Sequence, residues 1–221
     1  IFITPSERAD FGMRIFNADG SEAEMCGNGI RCVGKYVYDK GYTDKKHLRI
    51  ETLAGIKTLE LQTAGCQVRS VRVKMGTAAV SEERCLDLNG LPVRCMPVNV
   101  GNPHAVVFTD QLETDRVETL GKQIEHLPVF PEGVNVEFVQ ILNETELRMR
   151  VWERGSGITA ACGTGACASV AAAVRKGFCQ PDKWITVQLD GGPLQILIDF
   201  DGNAEMIGPA ETVYEGETSL C

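Results

Sequence analysis

The chain has 221 residues, a net charge of −8 and a sequence pI near 5.0, and 43% of its residues are hydrophobic. This composition is typical of a soluble globular protein. It excludes the basic face of a nucleic-acid binder and the long apolar run of a membrane span, so neither partner is expected. Nine cysteines without a Cys-x-x-C pair argue against a disulfide scaffold or a zinc ribbon and favour a reducing cytoplasm. No metal site is predicted.

The sequence repeats itself at an offset of 136 residues. Met13-Arg14-Ile15-Phe16 matches Met149-Arg150-Val151-Trp152, and Cys26-Gly27-Asn28-Gly29 matches Cys162-Gly163-Thr164-Gly165. A common register in two separate blocks predicts two copies of one α/β unit. We therefore expect an α+β fold of two pseudo-symmetric repeats, each a mostly antiparallel sheet wrapped around a central helix.

In chain order, the first copy predicts a helix after Gly29 that ends near Gly41, because apolar residues recur at helical spacing at Ile30, Val33 and Val37. Alternating segments such as 71–75 predict antiparallel strands. In the second copy, the apolar run 166–174 predicts a helix that is buried nearly all round and ends near Gly177.

The predicted domains are residues 1–94 and 95–208, with a tail at about 209–221 that packs back on the first domain. In the second copy, residues 98–108 form a turn that leads into a strand. At the same offset, their counterpart would lie before Ile1. We expect the first repeat to be incomplete here and the whole protein to carry a further N-terminal segment.

Cys26 and Cys162 each precede a Gly-x-Gly that opens a predicted helix. The positive end of a helix favours a thiolate, and its uncovered backbone N–H groups can hold a carboxylate. A single Cys-Gly-x-Gly is more often structural, but two at matched positions favour chemistry. Two thiols on opposite faces of one carbon would invert a stereocentre without a cofactor, since one thiolate removes a proton and the other thiol returns one. The other seven cysteines are predicted to be structural.

Two long segments, residues 16–32 and 152–168, resemble the two signatures of the diaminopimelate epimerases, and Gly101-Asn102-Pro103-His104 resembles a third element of that family. The resemblance implies the family's fold and the interconversion of LL- and meso-2,6-diaminopimelate, a small-molecule substrate, in the bacterial and plant route to lysine and peptidoglycan. It leaves open whether the protein is a homodimer. The sequence frames both cysteines alike and does not settle which acts on which isomer, but the resemblance suggests that Cys26 acts on the LL face and Cys162 on the meso face.

The resemblance also implies a role for each matching residue. Cys26 and Cys162 match the two proton-transfer residues. The donors to the reacting carboxylate match Gly27, Asn28, Gly163 and Thr164. The contacts to the distal end of the substrate match Asn17, Asn102, Asn135 and Arg154, whereas Glu153 and His104 match residues that line the site and tune the thiols.

Several alternatives stay open from the residues themselves. Asn17 could cap a turn, Asn135 could face solvent, and Arg154 could form a surface ion pair. Where many family members carry Glu, this chain has Ile158.

Among rival functions, a proline or hydroxyproline racemase shares the two-thiol chemistry, but Asn28 and the Glu-Arg-Gly at 153–155 favour the diaminopimelate epimerases. The phenazine-biosynthesis type isomerases have the expected fold but lack the cysteine pair, so they fit this sequence less well. A non-catalytic binding protein or a thiol redox sensor that uses Cys26 and Cys162 is the alternative from another class.

Overall fold

The computed structural model describes residues 1–16, 20 and 22–217, and it confirms the α+β prediction for this part of the chain. Three helices pack against a sheet of sixteen strands within the described residues. The helices are α1 (Gly27–Asp39), α2 (Thr114–Glu125) and α3 (Gly163–Arg175). The strands are β1 (Phe2–Thr4), β2 (Phe11–Phe16), β3 (Glu22–Ala23), β4 (His47–Thr52), β5 (Gly55–Ala64), β6 (Gln67–Thr77), β7 (Ala79–Val80), β8 (Arg84–Leu88), β9 (Leu91–Asn99), β10 (Pro103–Phe108), β11 (Asn135–Asn143), β12 (Glu146–Glu153), β13 (Gly157–Thr159), β14 (Trp184–Gln188), β15 (Leu194–Ile198) and β16 (Asn203–Pro209).

The strands form one continuous, mixed sheet. Its order is β1-β2-β4-β5-β6-β16-β15-β14-β12-β11-β10-β9-β7, with β3, β8 and β13 paired to β2, β9 and β12. Antiparallel pairing of β6 with β16 joins the last strand of one repeat to the last strand of the other. Because the sheet curls around both central helices, α1 and α3 share the larger of two apolar cores.

The register of the strands reproduces the 136-residue repeat. In the first half β1 pairs Ile3 with Met13, and in the second half β11 pairs Val139 with Met149. The short side strands agree as well, since β3 and β13 meet β2 and β12 at matched positions. Helices α1 and α3 each have thirteen residues and begin 136 residues apart.

Both central helices end as the sequence predicts. Gly41 and Gly177 follow the last turns with φ of 75°, a left-handed conformation that favours glycine. Helix α3 is buried on nearly every side, whereas α1 leaves Cys32 and Tyr36 exposed to solvent.

Helix α2 was not predicted, although its sequence carries an amphipathic signal. Val117, Leu120 and Ile124 recur at helical spacing and are buried in the second apolar core, beneath α2. This helix packs on β11 and β12 and so lies behind the second repeat's signature at 152–159.

The predicted domain boundary between residues 94 and 95 falls inside β9, and the division into domains stays a prediction. Beyond β16, the chain runs along the first repeat. At the end of β16 the Pro209 carbonyl accepts a hydrogen bond from Arg31, and beyond that strand Glu215 forms an ion pair with Lys40. Among the residues described, none of the helices combines the length and apolar composition that crossing a membrane requires.

Candidate active site

Cys26 and Cys162 occupy the same position in the two halves, as the N-caps of α1 and α3. Their backbones are extended in the same way, at φ −137°, ψ 115° and φ −126°, ψ 113°. Each sulfur accepts a hydrogen bond from the backbone N–H three residues later, from Gly29 at 3.3 Å and from Gly165 at 3.4 Å. A sulfur held in this way faces the positive end of the helix, which stabilises a thiolate.

The first turns of the two helices approach each other across the junction of the halves. An ideal Cβ atom on Gly27 would lie 3.4 Å from Gly163 Cα, and one on Gly163 would lie 3.4 Å from Gly27 Cα. Met206 of β16 is fully buried and contacts both glycines. The absence of a side chain at both positions therefore lets the two helix N-termini, with their free backbone donors, lie side by side.

The side chain of Asn28 bridges the two halves. Its Nδ2 donates to the Ala161 carbonyl at 3.0 Å, and its Oδ1 accepts from Arg31 Nη2 at 3.2 Å. Arg31 is itself buried, with 7% of its surface exposed, and it donates to the carbonyls of Gly27 and Pro209 at 3.1 Å each. Its hydrogen-bond partners are amide and carbonyl oxygens and the Met206 sulfur, so its charge is not neutralised by a hydrogen-bonded carboxylate within the described residues.

A chain of polar contacts leads away from the second cysteine. Thr164 Oγ1 lies 3.5 Å from Cys162 Sγ and accepts from Asn102 Nδ2 at 3.3 Å. Asn102 Oδ1 lies 2.9 Å from His104 Nε2, and His104 Nδ1 lies 2.7 Å from Glu137 Oε1. Both ring nitrogens of His104 meet acceptor oxygens, which ties the buried imidazole between Asn102 and Glu137.

Glu153 lies at the end of β12, in a turn that a second buried carboxylate holds in place. Glu125 of α2 accepts from Trp152 Nε1 at 2.7 Å and from the Gly155 N–H at 2.9 Å. Burial raises the pKa of Glu153 above its ordinary value, although a hydrogen bond from Thr159 opposes the shift. The structure therefore places a partly buried carboxyl group with a raised proton affinity beside the network around Cys162.

The residues predicted to contact the distal end of the substrate are placed differently from one another. Asn135 is buried, and its amide joins two loops by donating to the Pro103 carbonyl and accepting from the Arg154 N–H, each at 3.0 Å. Arg154 is exposed, and its guanidinium donates to the Glu132 carbonyl at 3.0 Å. Asn17 lies outside the described residues.

The two thiols differ in their surroundings. Cys26 is half-buried, whereas Cys162 is only 7% exposed. Burial raises the pKa of Cys162 well above its usual range, and the carboxylates of Glu153 and Glu137 raise it further. At neutral pH, with the site as it stands, Cys162 is a thiol.

An apolar groove of about 1050 Å³ lies on a different face of α1, between β1 and residues 210–214, and its lining includes Cys32 but neither Cys26 nor Cys162. Among the described residues, no cluster of three His, Cys, Asp or Glu side chains is placed to hold a metal ion.

Comparison with known proteins places this geometry in a family. The family model described as "Diaminopimelate epimerase" matches residues 1–81 and 96–213. The diaminopimelate epimerase of Phocaeicola vulgatus is 48% identical over 233 residues, which cover 100% of this chain and 82% of the relative. The chain belongs to the diaminopimelate epimerase family. Its members are isomerases, so the prediction of an enzyme is confirmed.

Further members of the family give the same result. The diaminopimelate epimerases of Acetivibrio thermocellus and Methanococcus maripaludis are each 46% identical over 234 residues. These alignments cover 100% of this chain and 83% and 84% of the two relatives.

Solved structures of low sequence identity share the family fold. A probable proline racemase from Agrobacterium radiobacter K84 superposes with a TM-score of 0.81 at 18% identity, over 99% of this chain and 75% of its own. A PhzF-family phenazine biosynthesis protein from Bacillus anthracis gives a TM-score of 0.73 at 18% identity, over 99% and 84%. At these identities the likeness concerns the fold alone.

Sequence reasoning missed three buried charged residues of this family member: Arg31, Glu125 and Glu137. Each stands in a segment that otherwise shows ordinary helix or strand patterning, and each is fully or almost fully buried. A charged residue inside an apolar pattern was the available signal, because such residues are seldom buried without a partner.

Proposed function

We propose that this enzyme interconverts LL- and meso-2,6-diaminopimelate by two-base proton transfer between Cys26 and Cys162, in the synthesis of lysine and of peptidoglycan precursors. The observation that carries the proposal is the matched pair of N-cap cysteines on two helices whose first turns touch. Relatives at 46–48% identity that bear the name diaminopimelate epimerase support the substrate.

The reaction follows from the two thiols. A thiolate takes the α-proton, so the C–H bond breaks, an S–H bond forms, and the electron pair moves toward the substrate carboxylate. The opposite thiol then gives its proton to the other face of the carbon and becomes a thiolate. The backbone donors of Gly27, Asn28, Gly163 and Thr164 would stabilise the charge that builds up on the carboxylate.

The remaining residues would support this step. Glu153 and His104 belong to the polar surroundings of Cys162 and would tune its proton affinity. Asn102 and Arg154, with Asn17, would contact the distal end of the substrate. Both ends of the Asn135 amide form hydrogen bonds within the protein. This supports a role for Asn135 in positioning Arg154, in addition to any contact of Asn135 with the substrate.

The proposal is tested by deuterium incorporation. The enzyme is incubated with LL-diaminopimelate in deuterated water, and exchange at the α-carbon and epimerisation are followed by NMR. We expect Cys26→Ala and Cys162→Ala each to lower the epimerisation rate by at least about a hundredfold, because a proton-transfer group contributes about 10²–10⁴ in rate.

Cys32→Ala is the matched control, because Cys32 is an exposed thiol in the same helix as Cys26. It should retain the activity of the unmodified enzyme. Absence of exchange in the reduced, unmodified enzyme would overturn the substrate assignment, and proline would be tried next. Diaminopimelate should also protect Cys26 and Cys162 from an alkylating reagent if the protein is an enzyme. A thiol redox sensor would be alkylated equally fast with and without it.

A further inference from the structure

Glu125, in the last turn of α2, is a buried side chain whose two oxygens serve two donors on another element. Only 6% of its surface is exposed. Its Oε2 accepts from Trp152 Nε1 at 2.7 Å, and its Oε1 accepts from the Gly155 N–H at 2.9 Å. Both contacts reach the end of β12 and the turn that follows it, 27 and 30 residues further along the chain.

A carboxylate suits this pair of partners better than a neutral side chain of the same size. An indole N–H and a backbone N–H can donate but cannot accept. A glutamine would meet one of them with its carbonyl oxygen and the other with its NH₂ group, so one donor would lose its partner. That loss is costly where water is excluded. The two donors therefore give a physical reason for a charged residue on the buried face of α2.

The turn that Glu125 holds carries Arg154, and both peptide groups that flank Arg154 are fixed by buried side chains. The N–H of Arg154 itself donates to Asn135 Oδ1 at 3.0 Å, and the next N–H, that of Gly155, donates to Glu125. Asn135 is 5% exposed and Glu125 is 6% exposed. Because the two flanking peptides set the backbone angles of a residue, they also set the direction of its Cα–Cβ bond.

The stem of the Arg154 side chain lies beside Glu125 as well. The Cδ and Cγ atoms of Arg154 lie 3.0 Å and 3.1 Å from the ideal Cβ position of Gly133, and Glu125 Cγ lies 3.7 Å from the same point. Gly133, with φ of 74°, leaves room for both stems because it has no side chain. The guanidinium donates to the Glu132 carbonyl at 3.0 Å, and the residue is exposed. The direction of Arg154 is therefore set from inside the protein, while its charged end lies at the surface.

We propose that Glu125 is a positioning residue that sets the affinity for the distal end of the substrate, because it fixes the direction in which Arg154 leaves the turn. Glu125 does not touch the substrate. Its effect is transmitted through Trp152 and through the peptide group between Arg154 and Gly155. The contact of Arg154 with the substrate rests on the proposed function.

The first test needs no substrate and measures hydrogen exchange of the Trp152 indole N–H and the Gly155 amide by ¹⁵N NMR. In Glu125→Gln at least one of the two groups should exchange about tenfold faster or more, because it loses its hydrogen bond. Glu118→Gln, at an exposed position of α2, is the matched control and should leave both groups protected. Equal protection of both groups in the two variants would overturn the proposal.

The second test compares KM and kcat for LL-diaminopimelate. Glu125→Gln should raise KM about fivefold or more and change kcat by a smaller factor, because a contact with the unreacting end of the substrate contributes equally to the ground state and the transition state. A variant that is only less stable would contain fewer active molecules, which lowers the apparent kcat at an unchanged KM. An unchanged KM in Glu125→Gln would therefore overturn the proposal.

The third test is a rescue. Trp152→Phe removes one of the two donors and introduces the residue type that the first repeat has at the matched position, Phe16. In that background Glu125→Gln leaves the Gly155 N–H as the one donor to satisfy, which a glutamine carbonyl can do. The further rise in KM should then be less than about twofold, since the two substitutions act on one contact and are not additive.

A rise in KM as large as that in the Trp152-containing enzyme would overturn the proposal. If Glu125→Gln alone does not fold but the double variant does, the rescue is seen in folding and supports it. Absence of epimerisation in the unmodified enzyme would overturn the proposed function, and hydrogen exchange would still decide whether Glu125 fixes the turn. If the unmodified enzyme epimerises diaminopimelate but KM is the same in Glu125→Gln and Glu118→Gln, only the role of Glu125 is overturned.

Discussion

At the scale of single residues, the surroundings of Cys162 collect ionisable groups in a region from which water is largely excluded. Glu153, Glu137 and His104 are half-buried or fully buried. The one buried polar atom without a partner among these three residues is Glu137 Oε2. A buried carboxyl group lowers the stability of a fold when it ionises, and proteins retain such groups where their proton affinity is used.

We predict that Glu153→Gln changes stability in a pH-dependent way. Because the folded pKa of Glu153 lies above its unfolded value, the group favours folding in acid, and this contribution is lost as the pH rises through the folded pKa. Glutamine removes the cost of ionisation and can still accept from Thr159. The free energy of unfolding, measured in urea, should therefore rise relative to the unmodified enzyme between pH 4 and pH 8.

Glu118→Gln, at an exposed position of α2, controls for the change of residue type and should show no such rise. A difference between Glu153→Gln and the unmodified enzyme that stays flat across this range would contradict a buried, ionised Glu153.

At the scale of elements, α2 fixes the turn that carries Glu153 and Arg154. Its Gly121 packs directly on Trp152, and an ideal Cβ atom there would lie 2.4 Å from Trp152 Cβ and 2.6 Å from its Cγ. The Trp152 Cβ atom moves only with the backbone of β12, and its Cγ atom moves otherwise only by rotation about χ1. Glu125, one turn later, then holds the turn through its two hydrogen bonds.

We predict that Gly121→Ala destabilises the enzyme although alanine is the better helix former. The propensity gain is about 1 kcal/mol, whereas overpacking costs about 1–3 kcal/mol, and a contact at 2.4 Å lies at the severe end. The free energy of unfolding should fall, and epimerisation should fall with it because the turn at 152–155 moves. Glu118→Ala on the exposed face of α2 should change the free energy of unfolding by no more than about 0.5 kcal/mol and should leave the epimerisation rate unchanged. Equal stability of the two variants would show that α2 can shift without cost.

At the scale of the whole molecule, the junction between the halves is apolar and closely packed. Met206 lies against Gly27 and Gly163, and its sulfur lies 3.5 Å from Arg31 Nη1. The pairing of β6 with β16 and the contact of Asn28 with Ala161 cross the same junction. The relative placement of the two cysteines therefore depends on contacts that neither repeat contains alone.

We predict that Met206→Ala lowers both stability and activity. Truncation of a fully buried methionine costs about 2–5 kcal/mol, and the cavity lies between the two helix N-termini. Met149→Ala is the matched control, because Met149 is equally buried but lies within the second repeat, against Ser169. Both variants should unfold at lower urea concentration, but only Met206→Ala should slow α-deuterium exchange several-fold under conditions where both are folded. Equal exchange rates in the two variants would show that the junction does not set the geometry of the thiols.

Much of this architecture could be predicted from local signals in the sequence. The repeat, the helices after Cys26 and Cys162, and their glycine ends are properties of short segments, because helix capping and apolar spacing act over a few residues. Helix α2 carried the same kind of signal and was overlooked. The family followed from two signature segments, and the comparisons confirm it.

By itself the sequence determined that two equivalent cysteines open two equivalent helices. Only the tertiary structure decided that they differ. Arg31, Glu137 and Met206 lie far apart along the chain. What each contributes to the site depends on the side chains that it contacts once the sheet has closed. Burial and electrostatic neighbours are properties of the packed molecule, since they depend on what excludes water from a group and which charges remain close to it. Two segments with one local pattern can therefore fold alike and still bury their thiols to different extents.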